Sequence, residues 1–93
     1  MQLGWTAPAL ADLRRIGTYL EREARQDVSV TTLELIRERS TMIADFPFAG
    51  PAVADRGFRS LRVHGTPYIL LYRVIDNRVE ILRVHHEREN WRA

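Results

Sequence analysis

The chain has 93 residues, 45% of them hydrophobic and 28% charged, and its formal net charge is +2, with arginine as its sole strongly basic residue type. A chain of this length supports one hydrophobic core, so we predict a single domain over residues 1–93. The composition excludes intrinsic disorder, and the lack of cysteine excludes disulfide scaffolds, thiol catalysis and cysteine-based zinc sites.

The N-terminal residues predict a short strand followed by a helix. Gln2–Trp5 alternates in polarity, as an edge strand does. Thr6 is suited to cap a helix, and Pro8 falls in the first turn, where proline is tolerated. Apolar residues then recur every three or four positions, which predicts a first helix over Ala7–Ala24.

A second helix is predicted over Val28–Asp45. Asp27 is suited to cap this helix, and the apolar period continues to Phe46 or Pro47. Because the connection between the two helices is short, they should form an antiparallel hairpin with one shared apolar seam.

The C-terminal half changes to a period of two. After a loop rich in proline and glycine, residues 58–64 predict a strand, and Tyr68–Ile75 and Arg78–Val84 predict a β-hairpin. Asp76-Asn77 suits a two-residue turn, because both residues tolerate the left-handed conformation. Such a turn fixes the pairs Ile75–Arg78, Arg73–Glu80, Tyr72–Ile81, Leu70–Arg83 and Tyr68–His85.

The predicted fold is α+β, in the order β-α-α-β-β-β, with the helical hairpin packed on one face of a small antiparallel sheet. Both faces of the β-hairpin are apolar, yet two helices cover only one of them. An uncovered apolar face needs a protein partner, a second copy of the chain or the chain's own C-terminal tail. The face without helices is predicted to carry Ile69, Leu71, Leu82 and Val84.

Short motifs follow one another along the chain in a fixed order. They are Ala9-x-x-Asp12-Leu13-x-x-Ile16-x-x-Tyr19, Pro47-x-x-Gly50, Arg59-x-Leu61-x-Val63, Tyr68-x-Leu70-x-Tyr72-Arg73 and Val79-x-Ile81-Leu82-Arg83-Val84-x-His86-x-x-x-x-Trp91. Together they resemble the RelE/ParE superfamily of toxins from bacterial type II toxin–antitoxin pairs. The resemblance implies a growth-arresting toxin that a small antitoxin wraps and holds inactive in a hetero-oligomer. It thereby assigns Ile69, Leu71, Leu82 and Val84 to antitoxin binding.

The superfamily has two activities, since RelE-like members cut mRNA in the ribosome and ParE-like members inhibit DNA gyrase by contact. At positions where RelE-like members carry basic residues, this chain has Ser60, Arg62, Ile69 and Glu87. Only one of the four is basic, and no tyrosine or phenylalanine ends the chain. These departures favour the ParE-like branch, with DNA gyrase as the target and with neither catalytic residues nor a cofactor.

Two alternatives stay open. A RelE-like ribosome-dependent endoribonuclease would use Arg62, His85 or His86, and Arg88. A non-toxic interaction module that shares the fold is the third reading. A metal site built from the histidines is not expected, because their spacing does not favour one.

The arginines divide into two groups. Arg59 and Arg83 are predicted on the helix side, where an acid such as Asp12 or Glu87 should pair with them. The candidates for contact with the target are the arginines without an assigned partner and the neighbouring tryptophan, namely Arg62, Arg88, Trp91 and Arg92. Trp91 also suits a structural role that pins the tail to the core.

Location follows from what the sequence does not contain. No apolar run approaches the roughly 18 residues that a membrane span needs, and the first residues do not resemble a signal peptide. We therefore expect a cytoplasmic protein without a membrane partner.

Overall fold

Two helices pack on one face of a four-stranded sheet in a computed structural model of the protein, which describes residues 1–92. The elements in chain order are β1 (Gln2–Trp5), α1 (Ala7–Glu23), α2 (Gln26–Asp45), β2 (Arg59–Arg62), β3 (Tyr68–Ile75) and β4 (Arg78–His86). The predicted α+β class and element order are confirmed.

The sheet is mixed, with the strand order β1-β4-β3-β2. β2, β3 and β4 pair antiparallel as predicted, whereas β1 runs parallel to β4, from Gln2 opposite Arg78 to Trp5 opposite Ile81. A parallel pair needs a long crossover, which the two helices and the strands after them supply.

The helix ends show one confirmed cap and one that is wrong. Thr6 Oγ1 accepts a hydrogen bond from the Ala9 N–H at 3.1 Å, and the same hydroxyl donates to the carbonyl of Leu82 in β4 at 2.8 Å. Asp27 does not cap α2, because α2 begins at Gln26 and Asp27 is already inside its first turn. The Asp27 carboxylate instead pairs with Arg25, whose Nε lies 3.1 Å from Asp27 Oδ1.

The core lies between the helices and the inner face of the sheet. Tyr72 is its largest fully buried side chain, and Ile36 and Ile43 bring α2 against it. The other buried apolar members of this cluster are Ala9, Leu13, Ile16, Val63, Tyr68, Leu70, Val79, Ile81 and Val84.

The β-hairpin begins with the predicted turn and register. Asp76 and Asn77 both take positive φ angles, 49° and 64°, as a two-residue turn requires. Arg73 and Glu80 face each other, and the Arg73 Nε lies 2.7 Å from the carboxylate.

A β-bulge then shifts the register between Leu71 and Tyr72. Beyond it, Leu70 pairs with Val84 and Tyr68 with His86, so the predicted pairs of Leu70 with Arg83 and of Tyr68 with His85 are wrong. One extra residue in β4 moves Val84 to the helix side, where its side chain is fully buried.

The carboxylate of Asp12 on α1 holds β4 just past this bulge. It accepts hydrogen bonds from the Val84 N–H at 2.9 Å, from Arg83 Nε at 2.7 Å and from Arg15 Nη2 at 2.9 Å. Burial alone would raise the pKa of Asp12, but the bonds from Arg83, Val84 and Arg15 outweigh it and lower that pKa below its ordinary value. The predicted pairing of Arg83 with Asp12 is confirmed.

Replacing Asp12 with alanine should lower the free energy of unfolding by about 2–3 kcal/mol at neutral pH, because the Val84 N–H and Arg83 lose their acceptor. Since folding lowers the pKa of Asp12, its contribution is complete above the unfolded pKa of about 3.9 and is lost as the pH falls through the folded value. Urea unfolding of wild type and Asp12→Ala should therefore show a gap that narrows as the pH falls to about 3. A gap that is independent of pH would contradict this role.

Candidate functional site

The sheet face turned away from the helices, called the open face here, is the candidate site. Strand pairing places Arg62 opposite Ile69, Ser60 opposite Leu71, and Ile69 opposite His85 on this face. Leu82 also lies on it, because it follows the inward-facing Ile81. The face is less bare than expected, since Leu71 is only 5% exposed and Ile69 and Leu82 are half-buried.

The C-terminal segment, residues 87–92, lies against the end of this face. The Glu87 N–H donates to the carbonyl of Pro67 at 2.8 Å, and the Glu87 carboxylate pairs with Arg62. At the other end of the segment, Arg56 donates to the carbonyl of Arg92. A cleft of about 530 Å³ remains between segment and sheet, lined by Arg62, Ile69, Glu87, Arg88, Glu89, Asn90, Trp91 and Arg92.

Glu89 organises the turn that leads into this segment. Its carboxylate accepts from the His86 N–H at 3.1 Å and lies 2.8 Å from His85 Nδ1. Burial would raise the pKa of Glu89, but the bonds from His86 and His85 outweigh it, and the pKa is lowered. The Arg88 N–H donates to His86 Nδ1 at 3.1 Å, so both histidines take part in the turn.

The two histidines point to opposite sides of the sheet, as predicted. His85 lies on the open face beside Glu89, whereas the ring of His86 meets Tyr68 edge-on, with the ring centroids 5.6 Å apart. They are therefore not brought together in one site. Among residues 1–92, no group of three or more histidine and acidic side chains is placed to hold a metal ion.

Two arginines near the site have interaction partners other than those predicted from the sequence. Arg62, expected to have none, is paired with Glu87. The guanidinium of Arg92 stacks over the Trp91 ring at 4.7 Å, and Trp91 is half-buried. Arg59 lies on the helix side as predicted, but it donates to the Gly50 carbonyl at 2.8 Å rather than to Asp12 or Glu87.

Of the residues predicted to bind an antitoxin, the structure leaves three on the open face. Ile69, Leu71 and Leu82 lie there, but Val84 belongs to the core under the helices, so its assignment to this surface is wrong. The bulge is the physical reason, because it inverts the alternation of β4.

Sequence reasoning missed an apolar groove on the helix side, with a volume of about 530 Å³. Tyr19 and Leu20 of α1 and Val28 of α2 form its walls, with Tyr68 and His86 at the sheet. Burial raises the pKa of Tyr68, and the nearby Tyr19 and Glu89 add to this shift. Tyr19 lies three residues after Ile16 on the helical period, and this aromatic extension of the apolar stripe was the sequence signal that could have revealed the groove.

The open face presents one arginine and one histidine, each beside a carboxylate. Cleavage of RNA through its 2′-hydroxyl needs a base, an acid and a cation that stabilises the phosphorane. Here Arg62 is paired with Glu87, and the His85 ring is held by the Glu89 carboxylate.

The helices also bear on the predicted absence of a membrane span. Within residues 1–92, no helix is long and apolar enough to cross a membrane.

The sequence matches a known protein family over nearly its whole length. The sequence model of the family described as the ParE toxin of the type II toxin-antitoxin system parDE matches residues 3–91. The chain belongs to this ParE toxin family. Y4kP of Sinorhizobium fredii, which is provisionally named a toxin, is 32% identical over 90 residues, covering 97% of this chain and 92% of the relative.

Solved structures agree with membership of the ParE family. The chromosomal ParDE system of Pseudomonas aeruginosa matches with a TM-score of 0.83 and 25% identity, over 92% of this chain and 95% of the other. RelBE2 of Mycobacterium tuberculosis matches with a TM-score of 0.68 and 27% identity, over 91% and 95% of the two chains. The Escherichia coli RelBE complex, at a TM-score of 0.67, 19% identity and 91% and 94% coverage, shares the fold.

The bulge makes neighbouring residues of β4 respond differently to truncation. Val84→Ala should lower the free energy of unfolding by about 2 kcal/mol, because Val84 is fully buried in the core. Leu82→Ala should cost less than about 1 kcal/mol, because Leu82 is half-buried on the open face. Denaturant unfolding of both variants measures these two losses of stability. A larger loss for Leu82→Ala than for Val84→Ala would contradict the bulge and indicate the regular hairpin register.

Proposed function

We propose that this ParE-family protein is the toxin of a toxin–antitoxin pair, that it inhibits DNA gyrase by protein contact in the cytoplasm, and that a cognate antitoxin neutralises it. The observation that carries the choice of target is the pairing of Arg62 with Glu87. Arg62 is the one basic residue at the positions that would serve RNA cleavage, and an acidic side chain of the same protein offsets its charge.

The surroundings of Arg62 support contact rather than cleavage. Arg88 and Arg92 project from a segment that also presents Trp91, and these three line one cleft with Arg62. Arginine and tryptophan are the residue types that most often dominate protein interfaces. A guanidinium can bind a carboxylate in two parallel hydrogen bonds, so Arg88 and Arg92 suit carboxylates on a protein surface.

Two observations support an antitoxin partner. Solved relatives of this chain include ParDE and RelBE systems, whose names pair a toxin with an antitoxin. The open face also keeps half-buried apolar residues, Ile69 and Leu82, next to the proposed target contacts. An antitoxin segment that covered this face would occlude Arg62 and the cleft, which provides a direct means of neutralisation.

Purified protein should inhibit supercoiling by DNA gyrase and leave a coupled translation reaction unaffected. Arg62→Ala with Arg88→Ala should weaken gyrase inhibition by about tenfold or more, because interface arginines often contribute more than about 1.4 kcal/mol each. Arg78→Ala is the matched control, since Arg78 is an exposed arginine at the far end of β4. Inhibited translation with cleaved mRNA would instead support the RelE-like activity through Arg62, Arg88 and His85 or His86. If the protein inhibits neither supercoiling nor translation, and its expression does not arrest growth, the protein is a non-toxic interaction module that shares the fold.

The proposed antitoxin surface has its own test. Ile69→Ser with Leu82→Ser should weaken antitoxin binding by about thirtyfold or more while the variant stays folded at the assay temperature, because both side chains are half-buried on the open face and lie outside the core. Titration calorimetry with the antitoxin encoded beside the toxin gene measures the affinity. Tight binding by the folded double variant would show that the antitoxin docks elsewhere.

A further inference from the structure

Two phenylalanines flank Pro47 at the end of α2 and stand out from the surface. Phe46 is 64% exposed and Phe48 is 65% exposed, although the helical period had offered Phe46 or Pro47 as the last position of the apolar seam. α2 ends at Asp45, and the chain leaves the helical path before Phe46 can turn inward. The two rings form an apolar hollow with Met42 and Ala49; Phe46 and Phe48 are called the aromatic pair below.

Hydrogen bonds to the buried Tyr72 hydroxyl hold the backbone of the loop that carries the aromatic pair. The buried Tyr72 hydroxyl donates to the Pro47 carbonyl and accepts from the Gly50 N–H, each at 2.9 Å. Gly50 has no room for a side chain, because a Cβ there would lie 2.4 Å from the Ser60 carbonyl oxygen. The Arg59 guanidinium lies 4.9 Å from the centroid of the Phe48 ring. The rings are therefore presented by an ordered loop, which lowers the entropy cost of binding.

The size of the patch indicates what kind of interface it serves. A phenylalanine buries on the order of 200 Å² when fully covered, so the aromatic pair offers about 250 Å² at its present exposure. A stable homodimer needs about 800 Å² from each partner. The aromatic pair is thus too small to hold a second copy of the chain, and it suits an anchor within a longer, wrapping interface.

The position of the patch separates it from the proposed gyrase contacts. Arg59, which touches Phe48, pairs across the sheet with Tyr72, so it lies on the helix side. Arg62, three residues further along, lies on the open face. One rigid target surface would have to contact both sides of the sheet, whereas an extended polypeptide can pass from one to the other around the β2 edge.

We infer that the aromatic pair is a second docking site for the antitoxin, filled by aliphatic side chains of an antitoxin segment that carries a carboxylate opposite Arg59. The site rests on the proposed toxin–antitoxin function and extends it beyond the open face. The carboxylate follows from the free donors of Arg59, since only one of its terminal nitrogens is used by the Gly50 carbonyl. An antitoxin bound here would shield two exposed rings until the toxin is released.

Titration calorimetry of the full-length toxin with the antitoxin encoded beside its gene tests this site. Phe46→Ala with Phe48→Ala should raise the Kd by about thirtyfold or more, while inhibition of gyrase by the free toxin stays within about twofold of wild type. Val30→Ala, which truncates another exposed apolar residue of α2, is the matched control and should change the Kd by less than about threefold. Circular dichroism verifies folding, and Phe46→Ala alone serves if the double variant unfolds.

Several results would overturn the inference. An unchanged Kd in the folded double variant would do so, as would lost gyrase inhibition with an unchanged Kd, which would assign the patch to the target. A wild-type dimer in sedimentation that the double variant dissociates, again with an unchanged Kd, would assign it to self-association. If wild type inhibits no gyrase, the proposed target fails, yet the comparison of Kd values still decides the docking site.

Discussion

The hydrogen bonds of the buried Asp12 carboxylate determine how the rest of this fold presents its surfaces. They join α1 to β4 at the point where β4 contains one extra residue. From Val84 onward, the side chains of β4 lie on the faces opposite to those that a regular hairpin would give. The open-face position of His85 and the position of His86 beside Tyr68 both depend on this one junction.

Local patterns were sufficient to predict most of the fold. The Thr6 cap, the Asp76-Asn77 turn and the periods of three to four and of two are properties of neighbouring residues, and each had the predicted outcome. The bulge had no such signal, because Leu82, Arg83 and Val84 read as ordinary strand residues. The strand just beyond it is held by a carboxylate 72 positions away along the chain, which no local pattern reveals.

The candidate site was less predictable for the same reason. The sequence offered Arg62 and the C-terminal arginines as candidates for target contact. The pairing of Arg62 with Glu87 requires the segment after β4 to fold back, and no local rule dictates that turn. The helical period offered Phe46 or Pro47 as the last position of the apolar seam, but α2 ends at Asp45 as predicted, and Phe46 is exposed beyond it. The partner of Arg62 was thus decided by a tertiary contact that the local pattern does not specify.

The pairing of Arg62 with Glu87 also affects how any anionic group would bind in the cleft. An exposed arginine without a partner attracts anions through an interaction that salt screens. Arg62 already has a carboxylate as its partner, so an incoming acid exchanges with Glu87 instead of neutralising an open charge. An acid bound at Arg62 would therefore gain only the difference between its own contact and that of Glu87, which is less than the strength of a newly formed ion pair.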